Sequence, residues 1–270
     1  MRCSRRDARA PSRCRARRCS SPRSRSWRSG TRFTRETGRA ACRTWPFRRA
    51  SSGRPCRPGA SRTTCARRLS CTPGLRCFAS TARRSWRGSD VAAVLDMPLL
   101  DATQQCADSA LRYWFEYLHE AGKDDEIQAK LTSGEKVTLA RWKADRKRGE
   151  SDQEVFIRFL KHCMNYVGSY SLSRDLPSVD ESDLGPGCLI VQPNPKGGIG
   201  HLSMIFDMAR NARGERVFLV GYGFLPAQSV FLAKPDAGNG PAATAWFSLE
   251  GFQAQHAYLG KTFVYRRFAP

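Results

Sequence analysis

The pattern of hydrophobic and polar residues changes abruptly at about residue 90. Before that point no window repeats apolar residues at the spacing of a helix or a strand, and the only leucines are Leu69 and Leu75. After it, the apolar positions are regular enough to predict individual elements. The pattern therefore divides the chain into a front segment, residues 1–89, and a single globular domain, residues 90–270.

The beginning of the domain predicts one strand and one helix. Residues 91–97 form a short apolar run, which is typical of a buried strand. Asp101 can cap a helix, with Gln104 three residues later as its reciprocal capping partner. The apolar face that follows continues to Gly122, a residue type that commonly ends a helix.

The next part of the domain predicts a hairpin and a second helix. Apolar residues flank Ser133-Gly134, which suits a hairpin turn. Ser151-Asp-Gln-Glu154 is a capping box and opens a helix that we expect to end at Gly168. Short strands follow, at residues 188–191, 201–207, 217–221, 229–232 and 262–267. Two early helices packed on a mostly antiparallel sheet predict an α+β domain.

The net charge and the cysteines are distributed unevenly between the two parts. The whole chain carries +22, but the front segment alone holds 26 arginines against two acids, a net charge of +24. The domain has 20 basic and 22 acidic residues, and only three of the 11 cysteines. The chain contains no secretory-type apolar segment and no membrane-spanning apolar run. The basic charge therefore does not describe the domain.

The front segment, residues 1–89, is predicted to be a disordered stretch rich in Arg, Ser and Cys. It has no Ile, Val or Lys, so it cannot bury enough apolar surface to offset the entropy of ordering. A basic tail that binds nucleic acid and an organelle transit peptide are two interpretations. The composition favours a third, a GC-rich gene translated out of frame or upstream of its true start. Under that interpretation the eight cysteines form no disulfide framework.

One arrangement of residues in the domain could support nucleophilic catalysis. Cys106 lies in the first turns of the first predicted helix, where the helix dipole favours a thiolate. His201 opens a strand directly after a glycine-rich loop, residues 193–200, and is expected to face a cleft. A Cys on an early helix and a His on a later strand is the layout of papain-like hydrolases. Gln228 is the candidate for orienting the imidazole.

The same residues also have structural interpretations. Cys106 could pack in the core, as we expect for Cys163 and Cys188. The remaining histidines are expected at a helix C-terminus (His119), on a solvated helix face (His162) and in a loop (His256). Trp142 and Trp246 could stack on a sugar or a peptide, although core packing is the commoner role of such residues. No Cys or His spacing matches a zinc site, so neither a metal nor another cofactor is predicted.

Five ordered motifs resemble a known family. They are Gln105-Cys106-Ala107-Asp108, Thr132-Ser133-Gly134, Ser171-Leu-Ser-Arg174, Gly200-His201 running to Asp207-Met208-Ala209, and Pro226-Ala227-Gln228. Together they resemble bacterial proteins grouped as domain of unknown function 4846, over about residues 91–268. The chain departs from the family at Tyr222-Gly223, where members often carry a Gln-Ser pair. If that Gln were the third catalytic group of the family, Gln228 would be its alternative here.

The resemblance implies a bacterial protein, often of the cell envelope, with a layout similar to NlpC/P60 and related papain-like amidases. On this basis the chain is expected to be a thiol hydrolase or amidase that acts on peptide or cell-wall material. Cys106 would be the nucleophile, His201 the general base, and Gln228 an orienting or oxyanion-stabilising group. The alternatives are a non-catalytic envelope module that binds peptide or glycan, and a nucleic-acid-binding protein that uses its basic tail. The oligomeric state stays open.

The division at residue 90 makes a first prediction. A fragment of residues 90–270 should fold without the front segment, because the domain alone carries the apolar pattern of a core. Circular dichroism and cooperative thermal unfolding of the fragment and of the full chain would check this. An unfolded fragment beside a folded full chain would contradict the prediction.

Overall fold

The computed structural model describes residues 33–35, 90–95, 97–194 and 200–268. Within the front segment these include only the three-residue strand β1, Phe33–Arg35, which pairs antiparallel with residues 209–211. The prediction for the rest of residues 1–89 lies outside the described part of the chain. Removing the front segment would therefore also remove β1 from the edge of its partner strand.

The main sheet of the described residues has eight strands, and all of its pairings are antiparallel. A separate hairpin is formed by β3 (Gln128–Lys130) and β4 (Lys136–Thr138). The other strands of the main sheet are β2 (Val91–Val94), β5 (Cys188–Gln192), β6 (His201–Asn211), β7 (Arg216–Tyr222), β8 (Phe231–Ala233), β9 (Trp246–Phe247) and β10 (Val264–Arg267). Their order is β10-β5-β6-β7-β8-β2, with β1 added to β6 and β9 added to β7.

Five α-helices accompany the strands within the described residues. They are α1 (Cys106–Glu120), α2 (Leu139–Ala144), α3 (Asp152–Tyr166), α4 (Ser169–Asp175) and α5 (Leu249–His256). The helix α3 begins with the predicted capping box, in which the Glu154 carboxylate accepts the Ser151 N–H at 2.7 Å. None of the described helices has the length and apolar content that a bilayer crossing requires.

The buried side chains form two hydrophobic clusters on the two faces of the main sheet. One cluster joins α1 and α3 to the β5 and β6 residues Leu189, Val191, Leu202 and Met204. We call this side the α1 face. The other joins Leu249 and Phe252 of α5 to the alternating strand residues, among them Cys188, Ile190 and Val220. We call this side the α5 face. Both faces of the central strands are therefore covered.

The predicted α+β class and the mostly antiparallel sheet are confirmed, whereas the start of the first helix differs from the prediction. Asp101 accepts hydrogen bonds from the Thr103 backbone and hydroxyl, which closes a local turn and does not cap a helix. The helix α1 begins only at Cys106, and the Asp108 carboxylate accepts the N–H of Gln105 at 2.7 Å.

Three helices, α2, α4 and α5, were not predicted. Gly168 does not simply end α3, because it stands at the N-cap of α4. The helix α5 follows Ser248, whose hydroxyl accepts the Gly251 N–H at 3.0 Å. The expectation that His256 lies in a loop is wrong, since it is the last residue of α5 and is buried.

Candidate functional site

Cys106 is the first residue of α1, and its side chain belongs to the apolar cluster of the α1 face. Burial raises the pKa of the Cys106 thiol to about 11, although a hydrogen bond from the Leu202 backbone acts in the opposite direction. The thiol is therefore neutral at physiological pH. The helix N-terminus alone does not activate this sulfur, because desolvation of the thiolate outweighs the dipole.

His201 is the first residue of β6, and its side chain is buried. Its ring lies 4.7 Å from the Tyr222 ring in an edge-to-face arrangement and 5.6 Å from the Phe224 ring. Burial, with a smaller contribution from His256, lowers the pKa of His201 to about 3. The imidazole is therefore neutral and a weak base. This environment differs from the cleft that the sequence predicts for His201.

The backbone brings Cys106 and His201 near each other, but their side chains belong to opposite faces of the sheet. The Cys106 sulfur meets the backbone of Leu202, the neighbour of His201. Leu202 points to the α1 face together with Cys106. Because side chains alternate along a strand, His201 points to the α5 face. A proton transfer between the two side chains would need a rearrangement, so the catalytic dyad stays a prediction that this geometry does not favour.

Gln228, the third predicted site residue, lies between β7 and β8 and is fully buried. The same segment contains a cis peptide bond between Leu225 and Pro226. Its role as an orienting or oxyanion-stabilising group also stays a prediction.

Two glycines allow the helices to approach the ends of the central strands. A Cβ atom at Gly200 would lie 2.5 Å from the Ser169 hydroxyl oxygen and 2.6 Å from the Gln192 carbonyl oxygen. A Cβ atom at Gly223 would lie 2.7 Å from the Ser109 hydroxyl oxygen. The first close contact lies beside His201, the first residue of β6, and the second lies between α1 and the residue that follows β7.

A group of buried polar side chains lies around His201 on the α5 face. We call Gln192, His201, Ser203, Tyr222 and His256 the His201 cluster. Gln192 and His201 are direct partners in the pairing of β5 with β6. Ser203 is two residues beyond His201 and therefore points to the same face. His256 covers the cluster from α5.

The hydrogen bonds of the cluster define the state of His256. Its Nδ1 lies 2.9 Å from the Phe252 carbonyl oxygen, which can only accept, so Nδ1 carries the proton. The Nε2 atom then accepts the Tyr222 hydroxyl at 2.8 Å. Burial lowers the pKa of His256 to about 4 and raises the pKa of Tyr222. The cluster is therefore uncharged at neutral pH.

Gln192 ties the cluster to the end of α5. Its side-chain N–H groups donate to the His256 carbonyl at 2.9 Å and to the Gly260 carbonyl at 2.7 Å. Gln192, Ser203 and Tyr222 are not among the site residues predicted from the sequence. The available signal was polar residues within otherwise apolar strands, at alternate positions that share a face.

A second candidate site is a row of contacting rings, in which Trp142 of α2 and His162 of α3 are half-buried and Tyr166 of α3 is exposed. Trp142 and His162 have ring centroids 4.9 Å apart, and His162 and Tyr166 have centroids 4.8 Å apart. The Arg158 guanidinium lies 4.6 Å from the centroid of the Trp142 ring. Tyr166 is 55% exposed. We call Trp142, Arg158, His162 and Tyr166 the α3 aromatic surface.

An open depression of about 380 Å³ adjoins the aromatic row and shares Arg158 with it. Its other lining residues, also on α3, are Gln153, Glu154, Ile157 and Lys161. The expectation that His162 is solvated is therefore incomplete, because its half-buried ring packs between two aromatic rings. Trp142 packs on the core residue Phe159, with ring centroids 5.5 Å apart, and its stacking on a sugar or peptide stays a prediction.

The charges around the α3 aromatic surface are paired. Arg158 donates two hydrogen bonds to Glu150, at 2.7 and 2.8 Å, and this contact lowers the pKa of Glu150 to about 2. Lys161 lies 3.4 Å from the Asp101 carboxylate. The surface therefore offers aromatic rings and hydrogen-bonding groups without an excess of either charge.

The other residues considered from the sequence have structural roles. Cys163 and Cys188 are fully buried, as predicted. His119 lies in the last turn of α1, donates from Nδ1 to the Asp124 carboxylate at 2.7 Å, and stacks on Phe156. Trp246 lies in β9. No group of three or more His, Cys, Asp or Glu within the described residues is arranged to hold a metal ion.

These features define an α+β domain whose antiparallel sheet carries helices on both faces and encloses a neutral polar cluster. The family model described as Domain of unknown function (4846) matches residues 81–262, more than half of the chain. The chain therefore belongs to this family, as the ordered motifs predicted. No curated protein and no solved structure matches the chain.

The depressed pKa of His201 makes a prediction for the pH dependence of stability. Between pH 6.5 and about 3 the unfolded chain protonates this histidine and the folded protein does not. The free energy of unfolding should therefore fall as the pH falls, by up to about 1.4 kcal/mol per pH unit for this group. His201→Gln should remove that part of the slope, which urea unfolding at several pH values would measure.

The matched control is Gln192→Met, which alters the same cluster without removing a titrating group. It should lower stability by a similar amount at each pH. The curves must be compared as differences between variants. Burial raises the pKa of Asp108 to about 7, so protonation of this carboxyl makes stability rise as the pH falls over part of the same range. Parallel curves for the wild type and His201→Gln would contradict the depressed pKa.

Proposed function

We propose that the domain is a non-catalytic binding module whose α3 aromatic surface recognises an uncharged glycan. The observation that carries the proposal is the row of contacting rings that ends in the exposed Tyr166. Sugar rings present apolar C–H faces that stack on exposed aromatic rings, while their hydroxyls need polar neighbours. The row of rings and the adjoining depression supply both kinds of contact.

The charge pairing supports a glycan over an acidic ligand. A surface that binds phosphate or nucleic acid presents unpaired Arg or Lys. Here Arg158 is held by Glu150 and Lys161 faces Asp101, so neither is available without breaking an ion pair. A neutral sugar chain fits this balance. An envelope role, which the family resemblance implies, belongs to the same proposal.

Substitution at Tyr166 tests this proposal. Tyr166→Ala should weaken binding of an N-acetylglucosamine tetramer about fivefold, since one stacked aromatic side chain is worth roughly 1 kcal/mol. Isothermal titration calorimetry on the full chain would measure the affinity. Tyr258→Ala is the matched control, because Tyr258 is 65% exposed but lies beyond α5. The control should bind as the wild type does.

Two results would overturn the glycan assignment. Equal loss of affinity in Tyr166→Ala and Tyr258→Ala would show that the α3 aromatic surface is not the binding site for the tetramer. Failure of the wild type to bind the tetramer, together with binding of an unstructured tetrapeptide, would replace the glycan by a peptide.

A thiol hydrolase is the competing proposal, and one observation favours it. Cys106 stands at the start of α1, and its sulfur receives a hydrogen bond from the backbone next to His201. The nucleophile would be the Cys106 thiolate and the base His201, with Gln228 as the third group. Against this, burial holds the thiol and the imidazole neutral, and the alternation of side chains along β6 directs His201 to the face opposite Cys106.

Alkylation kinetics separate the two proposals. We expect Cys106 in the folded full chain to react with iodoacetamide far more slowly at pH 7.5 than free cysteine does, because its pKa is about 11 and its sulfur is buried. Peptide mapping by mass spectrometry would follow this residue, with the buried Cys163 as internal reference. Reaction of Cys106 faster than free cysteine would support the hydrolase. The nucleic-acid alternative rests on residues 1–89 and stays a prediction.

A further inference from the structure

Three polar atoms of the His201 cluster have no hydrogen-bond partner among the described residues. They are Gln192 Oε1, His201 Nε2 and Ser203 Oγ. Their residues are 1%, 3% and 0% exposed, so bulk solvent does not reach them. A buried polar atom without a partner costs about 1–3 kcal/mol. Three such atoms in one cluster therefore indicate a bound molecule that satisfies them.

The sheet register places the three side chains next to one another on the α5 face. Gln192 and His201 are directly opposed on β5 and β6. Directly opposed side chains have Cβ atoms about 5 Å apart. Ser203 is the next residue along β6 on the same face. A guest between the three side chains would also lie beside the Tyr222 ring, which contacts His201 at 4.7 Å.

The hydrogen-bonding character of the site is defined by the protein contacts. The N–H groups of the Gln192 amide donate to the His256 and Gly260 carbonyls, so the remaining group, the amide oxygen, is an acceptor. The Ser203 hydroxyl can donate or accept. The neutral imidazole of His201 offers Nε2 as a donor or an acceptor, according to its tautomer. A guest must therefore donate at least one hydrogen bond and be able to accept another.

The side chains of the His201 cluster disfavour an ionic guest. The five side chains of the His201 cluster are amide, imidazole, hydroxyl and phenol groups, and none is a carboxylate or an ammonium. A buried ion without a compensating charge is strongly disfavoured. A hydroxyl group meets every requirement, because it is neutral, donates once and accepts twice.

We propose that Gln192, His201 and Ser203 form a buried site that binds one neutral hydroxyl group, supplied by a water molecule or by a small alcohol. The bound group connects β5 with β6 and, through the Gln192 amide, with the end of α5. It is a site separate from the α3 aromatic surface, which belongs to a helix on the other face of the sheet. Its failure and the failure of glycan binding are therefore distinguishable.

Crystallography of the full chain tests the site directly. We expect oxygen-sized density within hydrogen-bonding distance, about 2.6–3.2 Å, of at least two of the three atoms. Crystals grown without any alcohol and crystals soaked in ethylene glycol distinguish the two sources. Single-atom density under both conditions identifies water, and density that extends to a second heavy atom only after soaking identifies an alcohol. Direct contacts between the three side chains, with no density between them, would overturn the proposal.

A spectroscopic test in solution uses the nitrogen resonances of His201. Ser203→Ala removes one of the three groups and should shift the His201 Nε2 resonance in protein labelled with ¹⁵N-histidine, because a shared guest is displaced. Ser173→Ala is the matched control, since Ser173 is also a buried serine but its hydroxyl donates to the Tyr170 carbonyl at 2.7 Å. The control should leave the resonance unchanged. The absence of any shift in Ser203→Ala would mean that no guest links the two side chains.

Discussion

The burial of β6 on both faces is the constraint on which the rest of the domain depends. This strand pairs with β5 and β1 along one edge and with β7 along the other. Because its residues alternate between two covered faces, Leu202 and Met204 must fit against α1, whereas His201 and Ser203 must fit on the side of α5. Polar residues on the second face can be tolerated only where they are hydrogen-bonded, and this requirement shapes the His201 cluster.

Local patterns predicted much of the fold. The capping box at Ser151 and Glu154, the hairpin around Gly134 and the short strands all depend on neighbouring residues, and the structure contains them. The start of α1 was misplaced because Asp101 and Gln104 satisfy the same local rule as Gln105 and Asp108. In the structure the Gln104 side chain instead accepts hydrogen bonds from the Leu100 backbone N–H and from Arg112, and it donates one to the Ser109 hydroxyl.

The candidate site could not be predicted in the same way. His201 opens a strand directly after the glycine-rich loop 193–200, and this local position predicts a residue that faces a cleft. The face on which His201 lies is covered by α5, a short helix far along the chain with few apolar residues, so its sequence pattern is weak. Which face each residue occupies depends on that distant contact, and a sequence motif such as Gly200-His201 does not encode it.

The amide of Gln192 also bears on the order in which the domain folds. Its two hydrogen bonds reach residues 64 and 68 positions later in the chain. Contacts between α2 and α3 are more local, and local contacts form with a smaller loop-closure penalty. We expect these two helices, on the α1 face, to pack against each other early. The opposite face would then stay uncovered until α5 docks, and during that interval its aromatic residues would be the part of the chain most exposed to aggregation.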